Sequence, residues 1–283
     1  LFCENVRVAR VLALFRYPVK GFTPEPREEL VVQSDGRIAG DRVLAFRFAD
    51  AATPEERDGL DYWPKSKGLA LQDCPSLAAL RLSFDDVALR VRIENADGVL
   101  VEAGLDDSGR ARLAEAITEY VLASPDAKLL RRAHRLPLAV VGDGVRARFQ
   151  DRPRGYVTVH STASVADLGE ALGEPVDHRR FRSNVVIGGV EAWEELAWDG
   201  EVQIGEVRLH AEGPIVRCMA THANPDTGVR DLPVLKTLTA ALGQKEPTLG
   251  RLLLLPGVSG AVDDGSGRGG VIRVGDEVRI AAR

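Results

Sequence analysis

A chain of 283 residues has room for two domains or one large β-rich unit. With 45% hydrophobic and 28% charged residues it has the balance of a folded protein, which excludes disordered, collagen-like and coiled-coil readings. Its 37 Lys and Arg stand against 42 Asp and Glu, and a net charge of −5 gives no global attraction for a phosphate backbone, so nucleic acid is not an expected partner.

Taken in chain order, Val6, Val8 and the run 11–14 predict a strand stopped at Pro18, and 29–32 predicts a second, ended by Ser34-Asp35-Gly36. Gly40-Asp41 turns into a strand over 43–48, whereas the polar stretch 51–67, with Pro54, Gly59 and Pro64, reads as a loop. The β pattern continues over 80–84, 87–93 and 99–101, with Asp97-Gly98 as a hairpin turn. Ser108 is the candidate cap of a helix over 109–122, in which Leu113, Ile117 and Tyr120-Val121 recur at helical spacing before Pro125. A basic stretch, Lys128 to Arg135, precedes an apolar run over 136–141 that reads as a buried strand, and the domain boundary is placed here, giving units 1–127 and 128–283.

Ser164-Val165-Ala166-Asp167 resembles a capping box opening a helix that ends at Leu172, with Gly173 as its stop. The stretches 185–187, 202–204 and 207–209 are strand-like, and a third helix over 232–242 sets Leu235, Leu238 and Leu242 on one face before Gly243. Six glycines between 257 and 270 make a flexible loop and not a phosphate-binding one, because no helix follows and no Gly-Lys-Ser/Thr closes it. The terminal stretch 271–280 reads as a hairpin. No apolar run approaches the roughly 18 residues of a membrane span; the longest, 252–255, is cut by Pro256, and no membrane partner is expected. The opening Leu1-Phe2-Cys3-Glu4 lacks the leader of a signal peptide, and Met219 is the single methionine, so a short upstream segment carrying the initiator is expected.

Cys3, Cys74 and Cys218 are too few and too scattered for a disulfide framework or a zinc site, and a reducing, cytoplasmic location fits them. No H-E-x-x-H, G-x-S-x-G, Walker or Rossmann pattern is present. His222, four residues beyond Cys218, has the spacing of a thiol–base pair, although Cys-x-x-x-His in a loop is more often accidental. Cys218 itself lies beside Arg217, and a neighbouring guanidinium favours the thiolate, the nucleophilic and metal-binding form; the alternative is a buried cysteine at a strand end. Arg180, Arg182 and Asn184 alternate ahead of 185–187, and in a strand they would share one face, offering forks and an amide to a phosphate or polar heterocycle, or else a charged edge opposing aggregation.

In this order, Tyr17-Pro18-Val19-Lys20-Gly21, Gly40-Asp41-Arg42, Phe181-Arg182-Ser183-Asn184-Val185-Val186-Ile187, Arg217-Cys218, Asn224-Pro225-Asp226-Thr227-Gly228 and Arg273-Val274-Gly275-Asp276-Glu277-Val278 resemble the MOSC family, the domain related to the C-terminal part of molybdenum cofactor sulfurases. The opening motifs are similar to the β-barrel domain that often precedes it. The resemblance implies an α+β, predominantly β fold, with a MOSC β-barrel domain over 128–283 after an N-terminal β-barrel-like domain over 1–127.

Among relatives of this shape are the amidoxime-reducing molybdenum enzymes. There a pterin dithiolene holds molybdenum and the cysteine of the Arg-Cys motif completes its coordination, a metal-ligating and catalytic role that carries over to Cys218. Lys20, Arg42, Arg182 and Asn184 match positions that hold the phosphate and pterin of the molybdenum cofactor, with Arg217 beside them. The chain departs from the family pattern at Gly21, where serine is common, at Ser183, where proline is usual, and at Leu71 before Pro75-Ser76-Leu77, where arginine is common. No cysteine-rich ferredoxin segment follows, so electrons are expected from a separate protein; the pyridoxal-phosphate domain of the sulfurases is absent, so no pyridoxal phosphate is expected. The resemblance thus implies an oxidoreductase acting on N-oxygenated small molecules. A sulfur carrier or sulfurtransferase with a Cys218 persulfide, or a non-catalytic cofactor carrier, stands as the alternative.

Overall fold

The computed structural model describes residues 8–57, 60–146, 149–152, 154–257 and 268–280. Strand β1 (Ala9–Arg16) alternates inward and outward side chains up to a register shift between Val11 and Ala13, so that Val11 and Leu14 are both buried, and is followed by the short β2 (Glu25–Arg27), β3 (Glu29–Gln33), β4 (Ala45–Arg47), β5 (Glu55–Arg57) and β6 (Leu60–Tyr62). β5 and β6 pair antiparallel where a loop was expected, because three-residue strands are too short to show an alternation. Then β7 (Arg81–Asp85), β8 (Arg90–Asn95) and β9 (Gly98–Gly104) form an antiparallel meander. The expected strand over 87–93 starts late, since Val87 stands in the turn.

Helix α1 (Asp107–Ala123) lays Leu113, Ile117 and Val121, spaced by four, onto a core that includes Phe46, Leu77 and Ile93. Burial of each such side chain is worth about 1.5–3 kcal/mol. The cap is Asp106 and not Ser108: its carboxylate accepts from Gly109 N at 2.7 Å. Glycine is required at 109, because an added Cβ would lie 2.2 Å from Gly104 O where the helix start meets the end of β9. Asp106→Ala is expected to cost about 1 kcal/mol, read as a lowered urea midpoint with an unchanged slope.

In the second half come β10 (Ala139–Val141), paired with β4, then β11 (Val157–Ser161), α2 (Thr162–Leu172), β12 (Val185–Gly188), β13 (Gly200–Ile204) and β14 (Val207–Val216). A single α-turn, α3 (Val234–Lys236), runs into a π-helical turn, Thr237–Ala241, in place of the full helix expected over 232–242. The chain continues through β15 (Thr248–Leu254), β16 (Arg268–Arg273) and β17 (Glu277–Ile280). The cap of α2 is Ser161, whose hydroxyl accepts from Ser164 N at 3.0 Å, and Gly173 stops the helix in the left-handed conformation (φ 79°). The hairpin expected over 271–280 is instead two strands with different partners: β16 pairs with β3, and β17 with β1 and β13. Of the glycine-rich stretch 257–270, residues 258–267 lie outside the described residues, as do Cys3 and Val6.

Seven strands close a barrel in the order β12-β11-β15-β14-β13-β17-β1, and β1 pairs back onto β12. Closure leaves no free edge within the ring. The one parallel pair in it, β11 with β12, is joined by α2. Val11, Leu14, Val159, Ile187, Leu209 and Leu253 fill the interior, and Leu30, Val32 and Ile38 join the same core. The barrel core therefore draws residues from both sides of the expected boundary near 127.

Candidate functional site

A cavity of about 520 Å³ lies against the outer wall of the barrel, between residues of the two halves, and Lys20, Arg42, Arg182, Asn184, Arg217 and Cys218 all line it. Eight of its lining residues are Lys or Arg, whereas Asp151 is the one acid among them.

Cys218 follows β14 and opens a 3₁₀ turn, Met219–His222. The turn is tied down from two sides. Thr221 donates to Cys218 O from its backbone N at 3.1 Å and from Oγ1 at 3.0 Å. Arg180, buried, donates to His222 O at 3.0 Å and forms an ion pair with Asp231 at 2.7 Å. The ring of His222 is turned to α3, where Nε2 accepts from Leu235 N at 3.2 Å, so the residue spaced to serve as a base for Cys218 is engaged elsewhere. Burial, with Arg230 and Arg180 nearby, also keeps His222 below the usual histidine range.

The strand reading of Arg180, Arg182 and Asn184 does not hold. His178–Phe181 form a 3₁₀ turn and Arg182 is left-handed (φ 54°), so the three side chains reach the cavity from a kinked backbone and not as one face. Asn184 is held at both ends: its Oδ1 accepts from Thr158 Oγ1 at 2.8 Å, and its Nδ2 donates to Phe15 O at 3.2 Å and to Asp41 Oδ1 at 3.3 Å.

The cations differ in how they are compensated. Buried Lys20 donates to Phe149 O at 2.8 Å and pairs with Asp151 at 2.7 Å, whose carboxylate is 63% exposed. Burial pulls the Lys20 ammonium below its ordinary range, against the pull of Asp151. Arg42 is paired with Asp41, and although burial works against its charge, Asp41 outweighs it and holds the guanidinium above its ordinary value. Arg182 donates to Phe22 O at 2.6 Å, and Arg217 donates to Phe181 O at 2.7 Å and, through Nε, to Leu249 O at 2.7 Å. Among the described residues neither has a carboxylate partner. Burial pushes both down to about 10, so both remain charged at neutral pH. Two deeply set positive charges that hold only carbonyls are a configuration that calls for an anion.

Asp41, Asp151, Lys65, Arg152 and Arg154 were not singled out from sequence as site residues, yet Lys65, Asp151, Arg152 and Arg154 reach the cavity wall and Asp41 stands behind it. The cue to the last of them is the run Asp151-Arg152-Pro153-Arg154, three charges around a proline, and Asp41 stands inside the Gly40-Asp41-Arg42 motif. Cys74 lies in the core, fully buried, with its thiol pushed up to about 12 by burial, which leaves it inert.

Residues 146–279 match the MOSC domain family model. Mitochondrial amidoxime-reducing component 1 of Mus musculus is 36% identical over 126 residues, 43% of this chain and 35% of that protein. The Homo sapiens protein of the same name is 34% identical over 130 residues, 42% of this chain and 35% of its own length. A molybdenum cofactor sulfurase of Drosophila grimshawi is 46% identical over 78 residues, 27% of this chain and 10% of that protein. The chain thus spans about a third or less of the length of these relatives. The matched stretch carries most strands of the closed barrel and the Arg217-Cys218 pair at the cavity, so the chain contains a MOSC domain over 146–279 and resembles the amidoxime-reducing components.

Proposed function

We propose that the cavity holds a molybdenum cofactor and that the chain is an oxidoreductase reducing N-oxygenated small molecules with electrons from a separate protein. The observation that carries this reading is the thiol of Cys218 on the wall of a cavity that also presents Lys20, Arg42, Arg182 and Arg217. The donor set fits the group: a thiolate is a soft ligand suited to such a metal, and the uncompensated guanidiniums of Arg182 and Arg217 suit a phosphorylated pterin. Cys218 would hold the metal, and Arg42, Arg182 and Lys20 the anionic tail. When bound, the cofactor supplies the two-electron chemistry for N–O cleavage, by which an N-hydroxyl compound, two electrons and two protons give the N–H compound and water.

The chain's own work is to bind and orient. Arg180 and Asp231 fix the turn that carries Cys218, and Leu71, Ile215 and Leu252 give the cavity an apolar wall for an organic substrate. No helix among the described residues is long and apolar enough to cross a membrane; cytoplasmic action belongs to this proposal.

The isolated protein, loaded with cofactor, is expected to reduce an N-hydroxylated amidine with reduced viologen and to be inert with NADH until a partner reductase is added. Steady turnover with NADH alone would overturn the electron-donor part, and failure with viologen at one molybdenum per chain would overturn the reductase. The likeness to a molybdenum cofactor sulfurase favours a second reading, a persulfide carrier at Cys218. Cyanide-releasable sulfur on protein free of molybdenum would select it.

A further inference from the structure

The anion-binding arms of the cavity stand on an aromatic ring. The Arg42 guanidinium lies 4.8 Å from the centroid of the Tyr17 ring and that of Arg182 lies 4.4 Å from it. Tyr17 is 1% exposed, and its hydroxyl is spent on Ser183 O at 3.2 Å, so the ring and not the phenol serves the cavity. Both arginines hold the left-handed conformation, with φ of 52° and 54°, which opposes ordinary side-chain preference and persists where the surroundings over-determine it. The surroundings here are specific. Asp41, 2% exposed, accepts from Tyr17 N at 2.8 Å and pairs with Arg42, while Arg42 also donates to Arg182 O at 3.3 Å.

Two guanidiniums brought together repel, and one carboxylate serves only Arg42. The negative face of a ring offsets part of that repulsion and holds each planar fork in one orientation, leaving outward N–H groups free for an oxyanion. We propose that Tyr17 is the positioning residue of an oxyanion site: its ring orders Arg42 and Arg182, so that the cofactor-free chain already takes inorganic phosphate between them.

This deepens the cofactor reading and rests on it only for the identity of the natural ligand. The test uses the full chain without cofactor and inorganic phosphate as the probe, followed by calorimetry. Tyr17→Phe is expected to bind within about twofold of the parent, because the ring remains, and Tyr17→Leu to bind about tenfold more weakly. Phenylalanines carrying one, two and three ring fluorines at position 17 keep the shape while draining the ring face, so affinity is expected to fall stepwise at constant melting temperature. That series decides the matter even where Tyr17→Leu does not fold. No phosphate binding by the parent, a flat fluorine series, or equal losses in Tyr17→Phe and Tyr17→Leu would overturn the proposal. These outcomes are independent of molybdenum, so the site can stand where the reductase reading fails, and the reverse.

Discussion

Cys218→Ser is expected to reduce molybdenum content from near one per chain to near zero, and viologen-driven activity with it, while the melting temperature hardly moves. A hydroxyl is a poor soft ligand, so the metal loses its protein anchor. The fold loses little. The 3₁₀ turn at Met219–His222 hangs on the carbonyl of residue 218 and on Arg180, not on the thiol. Cys74→Ser is the matched control with the opposite profile: it places a hydroxyl in a fully buried core position, costing about 1–3 kcal/mol, and leaves molybdenum bound. Cys3→Ser is expected to leave molybdenum and activity nearly intact. Metal analysis of the purified variants, with thermal unfolding alongside, reads all three. Retention of molybdenum in Cys218→Ser, or equal loss in all three, would remove Cys218 from the metal.

Asp41→Ala carries the largest expected change in stability. One carboxylate takes the backbone N of Tyr17, the Asn184 amide and the Arg42 guanidinium, and so ties β1 to the turn before β4 and to the entry of β12. Its removal strands a buried charge on Arg42, a loss of about 3–5 kcal/mol. Asp41→Asn keeps an acceptor oxygen but not the charge and is expected to cost less, about 1.5–3 kcal/mol. Urea unfolding measures both, and a change below about 1 kcal/mol in Asp41→Ala would show that Arg42 finds another partner.

Much of the barrel was legible where alternation is long enough to read. Leu82 and Phe84 announce their inward faces through period two alone, as do Ala9 and Val11, whereas Leu14 faces inward only because the register of β1 shifts between Val11 and Ala13. The three-residue strands β5 and β6 carry too few residues to do so, and the π turn after α3 has no compositional mark. At the start of α1, Asp106, Asp107 and Ser108 all suit a cap, and the packing of Gly109 on Gly104 decides among them. The boundary near 127 follows a shift in composition, whereas the barrel core takes in Leu30 and Ile38 through pairings that local pattern does not reveal. At the site, the six residues named from motifs converge on one cavity. The support roles of Asp41 and Asp151 stayed hidden because, Arg42 beside Asp41 apart, their partners are remote in the chain: the Asn184 amide reaches Asp41 across 143 residues. The left-handed Arg42 and Arg182 were equally invisible, since local propensity argues against them.

The ring of strands is sealed by the first strand to be made. The β1 partners arrive late: the Asn184 amide that bonds Phe15 O lies 169 residues downstream, and the Gly275 carbonyl that takes Arg10 lies 265 residues downstream. At synthesis rates of about 5–20 residues per second, β1 waits on the order of ten to fifty seconds between its emergence and the arrival of its last neighbour. During that interval β2 can cover only the end of one edge, over 14–16, the rest of β1 is open to any passing strand, and Leu12, 52% exposed even in the finished protein, adds an apolar invitation. Arg10 and Arg16 at its ends are the kind of charge that discourages such pairing. Chains halted before residue 185 therefore keep the β12-facing edge of β1 unpaired, and the ring closes only once β17 has been made.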